Sequence, residues 1–201
     1  MTTVLIALHY QNEVLHERGK IRVGIEENSP QRKDIIQAAM SLLQQARHNS
    51  IPIVHVRVAY RKDYADLPHN APIFNGVRQL QAVQEGSWGC EFYKGLEPLI
   101  DCEREFVITH NRINAFYSSQ LEAVLQNLTP SRLVIAGVAT HSVVESTVRH
   151  AVDMGYKVIV PAAACGAPPA MHEASLNSMR LIASIYPKAC MSTLFGEDEH
   201  V

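Results

Sequence analysis

Short apolar runs alternate with helix-length patterns along this chain, and that alternation limits the fold more than any other feature. Six runs stand out: Thr3–His9, Pro52–Val58, Glu105–Thr109, Arg132–Gly137, Lys157–Pro161 and Ala189–Ser192. Most are rich in Val and Ile and nearly continuous, as strands covered on both faces are. Helical patterns lie between them. One starts at Ser29-Pro30 and runs through IIQAAMSLLQQA, with Ser29 placed to cap it and Pro30 suited to the first helical position. FYSSQLEAVLQNL from Phe116, SVVESTVRHAVDMG from Ser142 to Gly155, and PPAMHEASLNSMRLIASI from Pro168 are the others. The expectation is a three-layer α/β/α domain with a six-stranded, mostly parallel, Rossmann-like sheet. No repeat, low-complexity tract or linker divides residues 1–201, so they are read as one domain.

Composition matters here for what it excludes. The net charge of −2 gives no electrostatic grip on nucleic acid or an anionic membrane. No apolar run approaches the length of a membrane span. MTTVLIALHY reads as a buried first strand rather than a signal peptide, because it has no basic leader and no small-residue cleavage site. Cys90, Cys102, Cys165 and Cys190 form no CxxC pair, which suits reduced thiols in a cytoplasmic protein.

In an open parallel sheet, ligands bind beyond the carboxyl ends of the strands, near the switch in strand order. That rule selects His9-Tyr10, His110-Asn111 and the Ala139–Val143 turn, which contains His141. Ser142 and Glu145 have the S-x-x-E spacing of a capping box. A thiol at position 143 would lie against a positive helix end, where its pKa would fall, but the residue there is Val143. Residues 59–104 carry Pro68, Pro72, Gly76, Gly86, Gly89, Gly95 and Pro98, an irregular insertion of the kind that lines a site or an interface.

These stretches resemble the isochorismatase-like cysteine hydrolases. "GVATHSVVEST" is similar to that family's G-V-A-T-x-x-C-V-E-S-T signature, "VITHNRINAF" to its V-x-T-K-x-R-x-S-A-F segment, and "VLIALHYQNEV" to its L-x-V-I-D-M-Q-N-D-F opening. "EGSWGCEF" and "YKVIVPAAACGAPPAMHEASL" match in spacing and character. On this resemblance the family's catalytic aspartate falls on His9, its lysine on His110 and its cysteine on Val143. Members with "GVATSGVVLST" also carry valine at the nucleophile position, and this chain shares their "VAYRKDY" and "IYPKAC" segments.

Valine cannot attack a carbonyl, so covalent cysteine catalysis is excluded at position 143. Ser142 has a capping role and no evident base beside it. The resemblance therefore implies a hydrolase-like protein without its nucleophile. His9 is the candidate proton-transferring group and His110 the candidate stabiliser of developing negative charge in hydrolysis of a small molecule. Val143, His141, Trp88, Tyr10 and Phe116 are the candidate substrate-binding residues. The alternative is an inactive small-molecule-binding or scaffold protein of the same fold. His9, His110 and His141 could supply three nitrogens to a metal only if the fold joined them, and they lack a metal-motif spacing, so no metal or cofactor is assigned. His55 reads as a buried strand histidine and Cys165 as non-catalytic. The resemblance also implies a homodimer or a higher homo-oligomer.

Overall fold

The computed structural model describes residues 2–21, 23, 25, 29–99, 101–187 and 194–195. Six strands make one sheet: β1 (Thr3–Leu8), β2 (Ile53–Val58), β3 (Glu105–His110), β4 (Arg132–Gly137), β5 (Lys157–Pro161) and β6 (Ser184–Tyr186). Helices lie between them: α1 (Asn12–Leu15), α2 (Pro30–His48), α3 (Pro72–Leu80), α4 (Leu121–Leu128), α5 (Glu145–Asp153) and α6 (Pro169–Met179). The spatial order is β3-β2-β1-β4-β5-β6, and every pairing is parallel. The chain moves outward one way from β1 and the other way from β4, which puts the switch point between those two strands.

Burial explains why the apolar runs become strands. Every residue of β1 is buried, as are residues 133–137 of β4, because helices cover both faces of the central sheet. Leu5 pairs with Ile53 on one side and Val134 on the other. α2 buries Ile35, Ala39, Leu42, Leu43 and Ala46, a stripe at helical spacing. The predicted cap is present, with Ser29 Oγ accepting from the Gln31 N–H at 3.2 Å.

Four expectations require correction. The sixth strand is Ser184–Tyr186, overlapping the end of the stretch read as helix from Pro168, while Ala189–Ser192 lies outside the described residues. α6 stops at Met179 because the chain beyond it pairs with β5, and pairing in the sheet overrides helical pattern. The helix read from Phe116 starts only at Leu121. Asn114 Oδ1 accepts from the Phe116 N–H, and Ser119 Oγ bonds the Ala115 carbonyl and the Leu121 N–H, so side chains compete there for the backbone. The insertion is also less irregular than its composition suggests. It holds α3, with Pro72 at its first turn, and a small core of its own built on Tyr60, Tyr64, Leu67, Phe74, Val77 and Val83.

Candidate functional site

β2 lies between β1 and β3, so His9, just past β1, and His110, at the end of β3, can meet only over the end of β2. They do meet. Nε2 of His9 lies 2.6 Å from Nε2 of His110, with ring centroids 4.9 Å apart. His9 leaves the strand with φ of 56°, and its N–H is held by the Val56 carbonyl. Gln11 ties down the same strand end. Its side-chain oxygen accepts from the Val58 N–H, and its amide donates to the Val58 and Cys90 carbonyls. Both histidines are buried, at 9% and 2% exposure.

The hydrogen bonds fix the tautomers. A carbonyl only accepts, so the contact of His110 Nδ1 with the Asn114 carbonyl at 3.3 Å makes that nitrogen the protonated one. A neutral His110 then has a bare Nε2, and His9 donates to it through Nε2–H. Burial, and then the neighbouring His110, hold His9 well below the usual histidine range. Burial pulls His110 down to about 4. Both rings are therefore neutral at pH 7. The lone pair on His9 Nδ1 remains as the basic atom of the pair.

The other predicted site residues are placed differently. Val143 is buried in a wide turn, Thr140–Val144, where the Val144 N–H reaches back to the Ala139 carbonyl. This π-type turn separates Val143 from the start of α5, and no side-chain cap forms. The capping-box expectation for Ser142 is thus corrected. Its partner Glu145 instead accepts from Ser175 Oγ at 2.6 Å and from Arg149 at 2.7 Å. His141, half-buried in the same turn, has no hydrogen-bond partner for Nδ1. Tyr10 is buried and donates its hydroxyl to the Ala164 carbonyl. Phe116 stacks on His150 at 4.7 Å. Trp88 packs with His16 and lies under the Arg18 guanidinium, 4.6 Å away. Among the described residues no three His, Cys, Asp or Glu side chains converge as ligands.

Other reactive groups are silent. Burial pushes the Cys165 thiol up to about 12 and the Cys90 thiol up to about 11, so neither is a thiolate at neutral pH. His55 is buried on β2 and bonds Glu105 at 2.8 Å, as expected of a structural histidine.

Two spaces open near this end of the sheet. One, of about 140 Å³, borders His110 and is lined by polar groups that include Asp66, Glu85, Asn111 and Ser118. The other, of about 840 Å³, lies between Pro68–Phe74, Arg112–Tyr117 and the outer side of α5. Val143, His141, Trp88, Tyr10 and Phe116 line neither space. Asn114 and Arg112, which sequence reasoning did not select, line the larger one. The asparagine was detectable in principle, since an Asn after a strand and before a helix often bonds the local backbone.

Comparison with known proteins agrees with this architecture. Residues 3–188 match the isochorismatase domain family. The chain is 26% identical over 182 residues to a probable inactive nicotinamidase of Arabidopsis thaliana, covering 90% of this chain and 89% of that protein. An isochorismatase family protein of Desulfovibrio vulgaris superposes with a TM-score of 0.80 at 22% identity, over 98% of this chain and 99% of that one. The nicotinamidase/pyrazinamidase of Bacillus subtilis superposes with the same TM-score of 0.80 at 23% identity, over 92% of this chain and 99% of that one. No helix among the described residues is long and apolar enough to cross a membrane. With its six-stranded parallel sheet, its strand-end site and a domain match across nearly its whole length, this chain belongs to the isochorismatase family.

Proposed function

We propose that this protein binds a small molecule and does not hydrolyse it. One observation carries the reading: the Nε2–Nε2 hydrogen bond of His9 and His110, at 2.6 Å, occupies a ring nitrogen of each imidazole. The remaining nitrogen of His110 is committed to Asn114. Two neutral rings cannot protonate a leaving group, and the buried Val143 cannot attack a carbonyl. The Arabidopsis relative carries the description of a probable inactive nicotinamidase, which points the same way.

A second reading has its own support. The hydrogen bonds run from His9 Nε2–H to His110 Nε2 and from His110 Nδ1–H to the Asn114 carbonyl. That chain orients both rings and leaves His9 Nδ1 as a general base for water, with His110 taking up developing charge. The depressed basicity of both rings weakens this reading, since a general base works best with a pKa near the operating pH.

A turnover assay on nicotinamide, a vinyl ether and a carboxylic ester, with wild type and His9→Ala, separates the two. The expected result is no turnover by either protein, with a small molecule retained by wild type in native mass spectrometry. Turnover by wild type that His9→Ala abolishes establishes the second reading. Turnover that survives His9→Ala contradicts both.

A further inference from the structure

The larger cleft lies apart from the histidine pair and meets it only through Asn114, whose carbonyl holds His110. Its volume of about 840 Å³ is in the range of small-molecule sites. The chemistry of its lining is one-sided. No Asp or Glu lines it, and Arg112 does. Among the described residues no carboxylate forms an ion pair with Arg112; the ion pairs join Arg32 to Glu17, Arg47 and His55 to Glu105, Arg61 to Asp63, and Arg149 to Glu145. The Asp66 carboxylate instead accepts from the Arg61 N–H and the Asn111 amide.

Arg112 is also held in place. Its Nη1 donates to the Asp66 carbonyl at 3.2 Å and to the Asn111 carbonyl and Oδ1 at 2.8 Å each. One nitrogen anchors the planar group, and the edge formed by Nε and Nη2 is left for a bidentate partner. That geometry matches a carboxylate. At the rim, Arg78 donates to Nε2 of His69 at 3.3 Å. Phe74 and Tyr117 supply apolar wall, and Tyr117 is 64% exposed.

We propose that this cleft is a binding site for a small planar organic anion of the aromatic carboxylate class, with Arg112 gripping the carboxylate and Phe74 and Tyr117 facing the ring. The inference rests on the ligand-binding reading above and names where and what the protein binds.

Calorimetric titration of the full chain with benzoate, benzamide and benzylamine tests it, because the three probes share a ring and differ in charge. Benzoate is expected to bind at least about tenfold tighter than benzamide, the value of one charge-assisted pair, and benzylamine not at all. Arg112→Gln should weaken benzoate about tenfold or more. Since Arg112 also pins its own loop, Ser146→Glu is the second variant: it sits on α5, leaves the arginine contacts intact and sets a negative charge in the cleft. It should abolish benzoate binding while leaving the melting temperature within a few degrees of wild type. Equal affinity for benzoate and benzamide, or benzoate affinity unchanged in Ser146→Glu, overturns the proposal. So does a cleft covered by a second copy, seen as a dimer that Tyr117→Ala splits without any benzoate binding. Failure here combined with a catalytically silent protein removes only the site; turnover in the earlier assay removes the functional reading whatever benzoate does.

Discussion

At position 143 the side chain is an isopropyl group, buried in a turn that runs directly into α5. The regular helix begins two residues later, and the adjacent strand ends in a neutral imidazole rather than a carboxylate. Cys90 and Cys165 show what burial alone does to thiols in this protein, raising them to about 11 and about 12. The histidine pair carries the clearest thermodynamic signature. His110 sits at about 4 in the fold, against an ordinary value of 6.5 in the unfolded chain, so the folded state binds the proton less tightly. Its contribution to stability is full above pH 6.5 and is lost as the pH falls from 6.5 towards 4. His9, lowered well below 6.5, acts with the same sign. The loss from His110 is on the order of 3 kcal/mol. Urea unfolding at pH 7.5, 6 and 5 should show a steady fall that is shallower in His110→Gln. Stability flat across that window would contradict a buried neutral pair.

At the level of elements, the first turn of β3 is tied to α2 by a buried network. Glu105, with only 2% of its side chain exposed, accepts from Arg47 at 2.8 and 3.0 Å, from His55 at 2.8 Å and from the Leu99 N–H at 2.9 Å. Burial raises the carboxyl pKa, but the hydrogen bonds from His55, Arg47 and Leu99 outweigh it and hold the group below the usual carboxylate range. Glu105→Gln should cost about 2–3 kcal/mol in urea unfolding at pH 7, since it leaves the Arg47 guanidinium without its charge partner. A depressed carboxylate stabilises above its ordinary value of 4.5, and that contribution is lost as the pH falls below it. The gap between wild type and Glu105→Gln should therefore narrow below pH 4.5; a gap that widens there would show that the charge is not the stabilising element. β3 is an edge strand with Val107 48% exposed, and this network adds side-chain ties to α2 and β2 beyond its ladder with β2.

At the level of the whole molecule, the alternation of Val- and Ile-rich runs with amphipathic ones was enough to read the layered parallel sheet, because burial on both faces leaves no polar alternation in β1 or β4. The strand-end rule selected His9 and His110 separately. Their contact depends on β2 lying between their strands, which strand spacing in the sequence does not reveal. The apolar tail of the α6 pattern was misread because Ser184–Tyr186 is short and its pairing with β5 is non-local. Tyr10 was selected for its place just after the first strand and Trp88 as an aromatic residue of the insertion, yet one turns into the core and the other packs over α1. Arg112 stands at the fixed arginine of the VITHNRINAF segment, but the sequence did not show the cleft it borders, which three separate segments assemble.

The central claim is that His9 and His110 form a neutral, mutually hydrogen-bonded pair at the carboxyl end of the sheet. Nitrogen-15 NMR of the imidazole rings reads it directly. At pH 7 the account predicts two neutral rings, His110 protonated on Nδ1 and His9 on Nε2, with His110 uncharged down to about pH 5. An imidazolium at either position at pH 7, or a proton on Nε2 of His110, would contradict it.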